Sequence, residues 1–423
     1  AVEHGSSATL SVKATFDTST VPVVVGDTVV FTDASGVSKT VTVTAVDVAN
    51  GFATTTFSAP VEGGSLSVTA KVVDQAGNVS LLSDADAATL ITAAPTTTVR
   101  VVSISDDSGV AGDFMTNDNN GLTVGATLSQ ALTTGQKLQY STNGGTTWTD
   151  VSASEISGTS VLHVDSALTT SKTVQMRVVD SAGNPGAVAS QAVVIDTSAP
   201  TTTVTITAVK DDVGITTGTV ANGGTTDDTN PSLEGTLSQN LAEGETVHIF
   251  ANGVDIGTAV ASVGTATWTF ADHSNYANQT AVTYTAKVVD AAANAGNAST
   301  AYVVHIDTSV PTITVDTVAT DLVTANSNGT LDPTEWANLQ LSTPILPTIT
   351  GSSTNVDGQT VTVTVNGKNY TATVATGGAR SVTLPQADAL AFNNGNVYNI
   401  TASVTNAAGN VASDTDNALE ALV

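Results

Sequence analysis

The chain has 423 residues, a length that suits three or four domains of about 100 residues each. Val, Thr and Ala dominate and 35 Gly supply turns, a composition that favours strands over helices. The lack of Cys excludes disulfides and thiolate metal sites, and the net charge of −27 argues against nucleic acid and anionic lipid as partners. No apolar run is long enough to span a bilayer, so we expect no membrane insertion.

One motif returns along the chain. Val-Val-Asp-Gln-Ala-Gly-Asn at residues 72–78 recurs as Val-Val-Asp-Ser-Ala-Gly-Asn at residues 178–184. A third copy begins at residue 288 and is interrupted by an insertion before Ala-Gly-Asn at 295–297, and a fourth lies at 404–410. Self-similarity of this period predicts a tandem array of similar units.

A second motif lies between these copies. Asp-Thr-Ser-Ala-Pro at residues 196–200 is matched by Asp-Thr-Ser-Val-Pro at 307–311 and, more loosely, by Thr-Ala-Ala-Pro at 92–95. Proline fixes its own φ and extends the residue before it, so these segments are expected to be short, stiff linkers. The predicted units are repeat 1 (1–94), repeat 2 (95–198), repeat 3 (199–309) and repeat 4 (310–423).

Within the repeats, short segments alternate between apolar and polar residues. Residues 137–141 and 360–365 are clear strands, and Asn143-Gly144 and Asn366-Gly367 are predicted hairpin turns. No stretch has sustained helical periodicity. Seven or so short strands per hundred residues are typical of an immunoglobulin-like sandwich. The predicted fold is therefore all-β, with four tandem immunoglobulin-like β-sandwich domains in an extended rod.

Taken together, several motifs resemble a known family. The Asp-Thr-Ser-Ala-Pro linker, Ile-Ser-Asp-Asp-Ser-Gly at 104–109 and the Val-Val-Asp-x-Ala-Gly-Asn motif resemble the bacterial immunoglobulin-like repeats of giant adhesins. These adhesins are of the biofilm-associated and repeats-in-toxin type and are exported by type I secretion. Residues 141–148 and 266–270 resemble further signatures of the family, and residues 364–372 resemble a sister subtype.

The resemblance implies a role and a place for the chain. Such domains extend an adhesive tip away from a bacterial cell, and calcium rigidifies their joints. The resemblance therefore implies an extracellular segment on the bacterial surface, whose secreted parent is anchored in the outer membrane. The partners implied are calcium ions and the neighbouring repeats of the same chain, and we expect a monomer.

Catalytic motifs are missing from the sequence. The five His are scattered, with no two at ligand spacing. The sequence has no G-x-S-x-G elbow, no H-E-x-x-H motif and no phosphate loop. Paired carboxylates for glycoside chemistry stay open, although nothing beyond abundant Asp suggests them. We therefore expect that the chain is not an enzyme.

Acidic residues lie where the topology would gather them at joints between repeats. In an immunoglobulin-like sandwich the A–B loop and the end of strand G share one pole, and the F–G loop lies at the other pole, beside the preceding domain. At joint 2/3, Asp106, Asp107 and Asp196 would then face Asp290. Converging carboxylates cost free energy unless a cation neutralises them, and calcium prefers oxygen ligands.

The other two joints differ in their acids. Joint 3/4 gathers Asp211, Asp212 and Asp307, but repeat 4 has an Asn where the motif elsewhere has Asp. Joint 1/2 is predicted to be poorer, because Asp180 projects from repeat 2 while residues 92–95 contain no acid.

The A–B segments also carry candidates for calcium sites inside a repeat. In repeat 4, residues 326–335 resemble the later part of an EF-hand loop, with Thr324 in place of its first acid and Asp321 as a substitute. The alternative for every one of these residues is turn chemistry, since Asp and Asn cap loop backbone. The candidates are Asp113 and Asp118 in repeat 2, Asp227 and Asp228 in repeat 3, and Asp321, Asn326, Asn328, Asp332 and Glu335 in repeat 4.

Three functions stay open at this point. A structural extender fits the regular repeats, the short linkers and the acids near the joints. A module that binds sugar or protein would need an aromatic or unusually long loop, for which residues 331–347 are the candidate. Trp148, Trp268 and Trp336 lie in different repeats and are predicted to pack in cores or hairpins. The third possibility is an accessory region of a secreted enzyme.

Overall fold

The computed structural model describes residues 8–16, 22–262, 264–319 and 329–421. Strands dominate its regular structure, as the Val- and Thr-rich composition predicts. The chain separates into two compact units, Ala1–Thr197 and Ser198–Val423. Buried apolar side chains form four clusters, each inside one predicted repeat. The all-β prediction is confirmed, and the boundaries at 94, 198 and 309 stay predictions.

Repeat 1 has a two-stranded sheet, β1-β4, and a four-stranded sheet of order β3-β2-β5-β6. Phe31 of β2 and Phe57 of β4 are buried between the two sheets. A capping box between Thr44 and Asp47 starts a short helix, which ends at Gly51 in the left-handed region. The elements are β1 (Thr9–Thr15), β2 (Thr28–Asp33), β3 (Ser38–Thr42), α1 (Ala45–Asn50), β4 (Phe52–Ser58), β5 (Ser65–Val73) and β6 (Asp86–Thr89).

Repeat 2 has two facing sheets, of order β12-β13-β9-β7 and β11-β10-β14-β15-β8. Neighbouring strands are antiparallel, except that β8 runs parallel to the end of β15. This is the arrangement of an immunoglobulin-like sandwich. The elements are β7 (Val99–Ile104), β8 (Met115–Thr116), β9 (Leu122–Leu128), β10 (Lys137–Ser141), β11 (Thr149–Asp150), a 3-10 helix (Ala153–Glu155), β12 (Ile156–Ser157), β13 (Ser160–Asp165), β14 (Lys172–Val179) and β15 (Ala189–Ile195).

Repeat 3 forms one wrapped sheet of order β17-β16-β19-β22-β21-β20-β23-β24-β18. The first part of β21 pairs with β20 and its last part pairs with β22, so this strand passes from one face of the sandwich to the other. Gly257, with a φ of 135°, lies at the change of register. The elements are β16 (Val204–Asp211), β17 (Gly218–Val220), β18 (Gly224–Thr226), β19 (Ser232–Leu237), β20 (Thr246–Ala251), β21 (Val254–Ser262), β22 (Thr267–Ala271), β23 (Ala281–Val289) and β24 (Tyr302–Ile306).

Repeat 4 has sheets of order β25-β27-β30 and β26-β32-β31-β28-β29. A tight turn at Asn366 and Gly367, with φ values of 47° and 70°, joins β28 to β29 and confirms the predicted hairpin. The elements are β25 (Thr312–Ala319), β26 (Thr330–Leu331), α2 (Pro333–Leu339), β27 (Thr348–Thr354), β28 (Thr360–Val365), β29 (Lys368–Thr373), β30 (Arg380–Thr383), α3 (Gln386–Ala389), β31 (Asn396–Thr405) and β32 (Val411–Ala421).

Corresponding strands keep one name in all repeats. Strand A is β7, β16 and β25, and the short strand A′ is β8, β18 and β26, which runs parallel to the last strand of its repeat. Strand B is β1, β9, β19 and β27. The F–G loops are residues 74–78, 180–184, 290–294 and 406–410. No described helix is long and apolar enough to cross a membrane.

Two expectations need correction. The third motif copy has no insertion, because Ala293, with a φ of 67°, takes the place of Gly183, and the bond from Asp290 N to Asn294 O matches the one from Asp180 N to Asn184 O. Asn143-Gly144 lies in a longer loop between β10 and β11 and is not a two-residue hairpin turn. Ala293 adopts the left-handed backbone conformation that Gly183 has in repeat 2 and that usually favours Gly, so the sequence comparison did not align the two residues.

Candidate metal centre

The F–G loop of repeat 2 is an Asx turn that also binds the linker before it. Asp180 Oδ1 accepts hydrogen bonds from the backbone N–H groups of Ala182 and Asn184, both at 2.9 Å. Asn184 Nδ2 donates to Asp180 Oδ2 and to the carbonyl oxygen of Ile91, both at 2.8 Å. Asn184 is only 6% exposed, so the bond to Ile91 is a buried contact between repeats 1 and 2 inside the first unit.

Repeat 4 makes the same contact inside the second unit. Asn410 corresponds to Asn184, and its Nδ2 donates to the carbonyl oxygen of Asp307 at 2.8 Å. Asn406 Oδ1 accepts from the N–H groups of its own loop, while its Nδ2 donates to the carbonyl oxygen of Ser309 at 3.2 Å. The Asn that replaces the motif's Asp thus adds a donor to joint 3/4, which a carboxylate could not do.

Joint 1/2 contains an acid that the linker sequence does not show. Glu62, from the turn between β4 and β5, accepts from Thr92 N at 2.9 Å and from Thr92 Oγ1 at 2.5 Å. Its other carboxylate oxygen accepts from Ala93 N at 3.3 Å. The bonds from Thr92 lower the pKa of Glu62, and the charge of Asp180 opposes this shift. The expectation that joint 1/2 lacks a linker acid therefore overlooked Glu62, which is distant in sequence.

Asp307 lies at joint 3/4 as predicted, but its carboxylate is engaged within the linker. Its Oδ1 accepts from Ser309 N at 2.9 Å and its Oδ2 from Asn355 Nδ2 at 3.3 Å. Burial opposes ionisation of Asp307, but these hydrogen bonds prevail and lower its pKa. Its backbone N–H donates to the carbonyl oxygen of Thr226 at 2.8 Å, which ties strand A′ of repeat 3 to the linker.

The structure unites four acids of repeat 3 that the sequence assigned to two separate sites. Asp211 ends β16, and Thr226 ends β18 beside it, with Thr226 Oγ1 donating to Asp211 Oδ2 at 2.5 Å. Asp228 N donates back to Thr226 Oγ1 at 3.1 Å. We call the set Asp211, Asp212, Asp227 and Asp228 the repeat-3 cluster.

Two oxygens of the repeat-3 cluster lack partners. Asp228 is 2% exposed, and its Oδ1 accepts from Asn230 N at 2.8 Å while its Oδ2 has no hydrogen-bond partner. Asp227 Oδ1 is likewise buried without a partner. An unsatisfied buried acceptor is costly, and more so when it carries charge. The cluster therefore has a free-energy cost that a bound cation would remove.

The cluster's electrostatics point the same way. Burial, followed by the charge of Asp211, raises the pKa of Asp227. Burial likewise raises the pKa of Asp228, and the charges of Asp212 and Asp211 add to the shift. The carboxylates are thus close enough to disfavour each other's ionisation.

The loop over this cluster also reaches the next repeat. A Cβ at Gly214 would lie 2.6 Å from Asp227 Oδ2, so the loop between β16 and β17 lies directly against the cluster. Farther along the same loop, Thr216 contacts the F–G loop of repeat 4, where a Cβ at Gly409 would lie 3.0 Å from Thr216 Cβ. One short loop therefore joins the repeat-3 cluster to joint 3/4.

Repeat 2 has the same hydrogen-bond pattern around a threonine, but fewer of its acidic side chains take part in it. Thr116 takes the place of Thr226: its Oγ1 accepts from Asp118 N at 3.0 Å and donates to the carbonyl oxygen of Asp106. Asp196 N donates to Thr116 O at 2.9 Å. The shared pattern Thr-x-Asp-x-Asn at 116–120 and 226–230 is the sequence signal that would have identified both threonines.

The remaining acids of this pole in repeat 2 serve loop backbone. Asp107 Oδ2 accepts from Gly112 N at 2.7 Å, and its Oδ1 is buried without a partner. Asp113 and Asp118 each accept a backbone N–H two residues ahead, as in Asx turns. Asp290 belongs to the second unit, where both of its carboxylate oxygens accept from Asn294. The proposed cage at joint 2/3 stays a prediction.

In repeat 4, the described part of the EF-hand-like segment forms a helix cap. Asp332 Oδ1 accepts from Thr334 N and Glu335 N at 2.8 and 3.0 Å, and Glu335 Oε2 accepts from Asp332 N at 2.9 Å. This reciprocal capping box begins α2. Asp321, Thr324, Asn326 and Asn328 lie outside the described residues.

The donor chemistry of the repeat-3 cluster fits calcium, because every side-chain donor is an oxygen. Among the described residues, no group of three or more His, Asp or Glu has the arrangement of a formed metal cage. The oxygen-only chemistry of the cluster and the lack of a formed cage are compatible, because the carboxylates repel one another and do not converge on one point. The unpartnered oxygens of Asp227 and Asp228 are the positions in the cluster at which a bound cation would supply a counter-charge.

The tryptophans confirm the packing prediction. Trp268 is 1% exposed in the core of repeat 3, and the ring of Trp148 lies 4.1 Å from the guanidinium carbon of Arg177. Trp336, in α2, packs against the core of repeat 4. The segment considered for ligand binding, residues 331–347, thus contains a helix that is packed onto the sandwich.

Solved structures of other proteins are similar to this chain at low sequence identity. No family model matches the chain, and no curated protein matches it. A solved structure from a 1.5-MDa bacterial ice-binding adhesin is 18% identical, with a TM-score of 0.29, covering 78% of this chain and 98% of that one. A tetra-tandem repeat in the extending region of a large adhesion protein is 20% identical, with a TM-score of 0.28, covering 98% and 96%.

A third similar structure comes from another class of protein. Fibronectin(III)-like modules of Clostridium thermocellum CbhA are 15% identical, with a TM-score of 0.32, covering 48% of this chain and 94% of that one. Identities of 20% or less and TM-scores near 0.3 do not establish a family for the chain.

Proposed function

We propose that the chain is a structural extender segment of a bacterial surface adhesin. Its immunoglobulin-like repeats would project an adhesive tip from the cell for adhesion and biofilm formation, and calcium would stiffen the joints. The observation that carries the proposal is the hydrogen bond from an F–G loop Asn to the preceding linker. It recurs as Asn184 to Ile91 and as Asn410 to Asp307, both at 2.8 Å.

This repeated bond matters because it restrains the linker between two repeats. A side-chain amide that is largely buried loses its partner if the joint bends, at a cost of about 0.5–1.5 kcal/mol. Glu62 at joint 1/2, and Asn355 with Asn406 at joint 3/4, add further bonds to the linkers. Short linkers that are restrained by several hydrogen bonds suit a protein that holds an adhesive tip away from the cell surface.

Calcium would act where carboxylates lack a counter-charge. Asp211, Asp227 and Asp228 would hold the ion in repeat 3, with Asp212 beside them, and the ion would neutralise carboxylates that raise one another's pKa. Since the loop over this cluster contacts the F–G loop of repeat 4, an ordered cluster would also steady joint 3/4. Extracellular modules bind calcium with a Kd of roughly 10⁻⁴–10⁻³ M, so binding would follow export.

The cellular setting rests on the motif resemblance. An adhesin exported by type I secretion would place this segment outside the cell, with its parent protein anchored in the outer membrane. The excess of acidic over basic residues, 38 Asp and Glu against 11 Lys and Arg, gives the segment a negative field that attracts cations.

Isothermal titration of the full chain with calcium tests the proposal. We expect saturable binding, with the stoichiometry reduced by one site in Asp228→Asn. The control Asp86→Asn removes an exposed acid of β6 and should leave the stoichiometry unchanged. Equal stoichiometry in all three proteins would contradict the assignment of calcium to the repeat-3 cluster, and no calcium binding at all would contradict the calcium-stiffened extender.

A further inference from the structure

Strand β13 of repeat 2 lies near one end of its sheet, and only its first part has a strand on both sides. On one side, β9 pairs with all six of its residues, from Ser160 to Asp165. On the other side, β12 pairs with Ser160 and Val161 alone. Among the described residues, therefore, no strand covers the outer edge of residues 162–165.

The backbone groups of β13 alternate in direction along this edge. Leu128 N, in β9, donates to the carbonyl oxygen of Thr159 at 2.8 Å, so the odd-numbered residues of β13 bond to β9. Antiparallel pairing then turns the N–H and C=O groups of Leu162 and Val164 toward the outer edge. An edge of this kind is a template for pairing with another chain.

A carboxylate occupies this edge at the place where β12 ends. Glu155, the residue before β12, accepts a hydrogen bond from Val164 N at 2.8 Å through its Oε1. Its Oε2 accepts from Ser152 N at 3.0 Å, in the capping box of the 3-10 helix, and lies 3.2 Å from His163 Nδ1. Burial opposes ionisation of Glu155, but the hydrogen bonds from Val164 and His163 prevail and lower its pKa. The Glu155 side chain is thus held as a charged cap on the edge.

The side chains on the outer face of this edge are apolar. Leu162 and Val164 are 59% and 62% exposed. The matching residues in β22 of repeat 3, placed by the Thr-Leu-Ser-Gln segment that both B strands share, are Thr269 and Ala271. The edge of repeat 2 therefore has a pair of large, exposed apolar side chains that repeat 3 lacks.

Two copies of β13 are complementary to each other at this edge. An antiparallel pair centred on His163 would set Leu162 of each copy opposite Val164 of the other, about a two-fold axis. The outward backbone groups would then bond to the second strand, and four apolar side chains would form one patch on the outer face. This pairing needs the N–H of Val164, which Glu155 already holds, so the cap and the pairing exclude each other.

We propose that Glu155 protects the edge of β13 and keeps neighbouring copies of this chain from pairing through repeat 2. The carboxylate takes the N–H that a second strand would use, and an apolar partner would have to bury its charge. The protection does not depend on calcium. It goes beyond the extender function, although extenders that stand side by side on a cell would need it, since paired rods would not hold separate tips.

Sedimentation velocity of the full chain tests this role by removing the carboxylate. We expect Glu155→Ala to dimerise with a Kd about tenfold or more below that of the wild type, because each copy frees one backbone N–H. Glu155→Gln keeps an acceptor oxygen for Val164 N and should stay monomeric. Glu243→Ala removes the same charge from an exposed position in repeat 3 and is the control. A monomeric Glu155→Ala protein, or equal dimerisation of Glu155→Ala and Glu243→Ala, would overturn the proposal.

Further substitutions show whether such a dimer uses β13. Leu162→Thr and Val164→Ala give the edge the residues of repeat 3, and together they should return the Glu155→Ala protein to a monomer. Amide exchange at Val164 in the Glu155→Ala protein should be slower at high than at low protein concentration, because the second copy holds this N–H. If the triple variant still dimerises, or if exchange becomes fast throughout repeat 2, an unfolded repeat and not an unprotected edge causes the association, and the proposal is overturned.

Discussion

Replacing Asp228 by Asn should change stability in opposite directions without and with calcium. In chelator, the substitution removes a charge from a side chain that is 2% exposed, that lies among other acidic residues and that has one oxygen without a hydrogen-bond partner. An unsatisfied buried acceptor costs about 1–3 kcal/mol, so the variant should gain about 1 kcal/mol. For a domain of this size that is an increase of about 4 °C in the Tm of repeat 3.

With calcium the order should reverse. An ion at a hundredfold excess over its Kd stabilises the wild type by about 2.7 kcal/mol, and the variant loses most of this gain. Calorimetry of the full chain gives both values, with amide exchange in β16 and β18 assigning the transition to repeat 3. Asp86→Asn, an exposed acid in β6, is the control. A variant that is less stable than the wild type in chelator would refute this account of the orphaned oxygen.

The pH dependence of the calcium-free protein checks the same cause. The pKa values of Asp227 and Asp228 are raised by burial and by neighbouring charges. Their contribution to stability is therefore present below the ordinary carboxyl pKa and is lost as pH rises through the raised values. In chelator, the advantage of Asp228→Asn over the wild type should be larger at pH 7 than at pH 3.5.

Three further substitutions test other contacts. Glu335→Ala breaks the capping box of α2 and should destabilise repeat 4 by about 1 kcal/mol in denaturant melts even in chelator, whereas Glu335→Gln keeps the cap and should be neutral there. Glu62→Ala should speed amide exchange at Thr92 several-fold, since the carboxylate holds that N–H, and unchanged exchange would contradict this role. Tyr284→Phe removes a 2.7 Å bond to buried Asp272 and should cost about 2 kcal/mol in thermal unfolding.

The all-β fold could be predicted from the sequence because several local signals agreed with one another. Alternating Val and Thr, turn residues and repeated motifs all predict strands, and the hairpin at Asn366 and Gly367 formed as expected. The short helices were missed because they are only one or two turns long, which leaves no periodicity to detect. They are visible instead through their caps, at Thr44 for α1 and Asp332 for α2.

The candidate site was less readable, because its contacts cross between loops that are separate in sequence. Asp211 lies near Asp227 because β18 pairs with β24 and the hydroxyl of Thr226 donates to Asp211. The spacing of the acids in the sequence does not predict this arrangement. Glu62 reaches Thr92 across 30 positions. Asn184 belongs to a motif that was recognised, but which backbone its amide binds depends on how the repeat before it docks.

The width of the distance distribution across joint 3/4 is the most direct test of a calcium-stiffened extender. Because the chain has no cysteine, spin labels can be introduced at the exposed residues Thr236 and Thr371, on either side of the joint. Double electron–electron resonance should give a narrow distribution with calcium, a broad one with excess chelator, and a broad one for Asp228→Asn under both conditions. Distributions of equal width with calcium and with chelator would contradict the account.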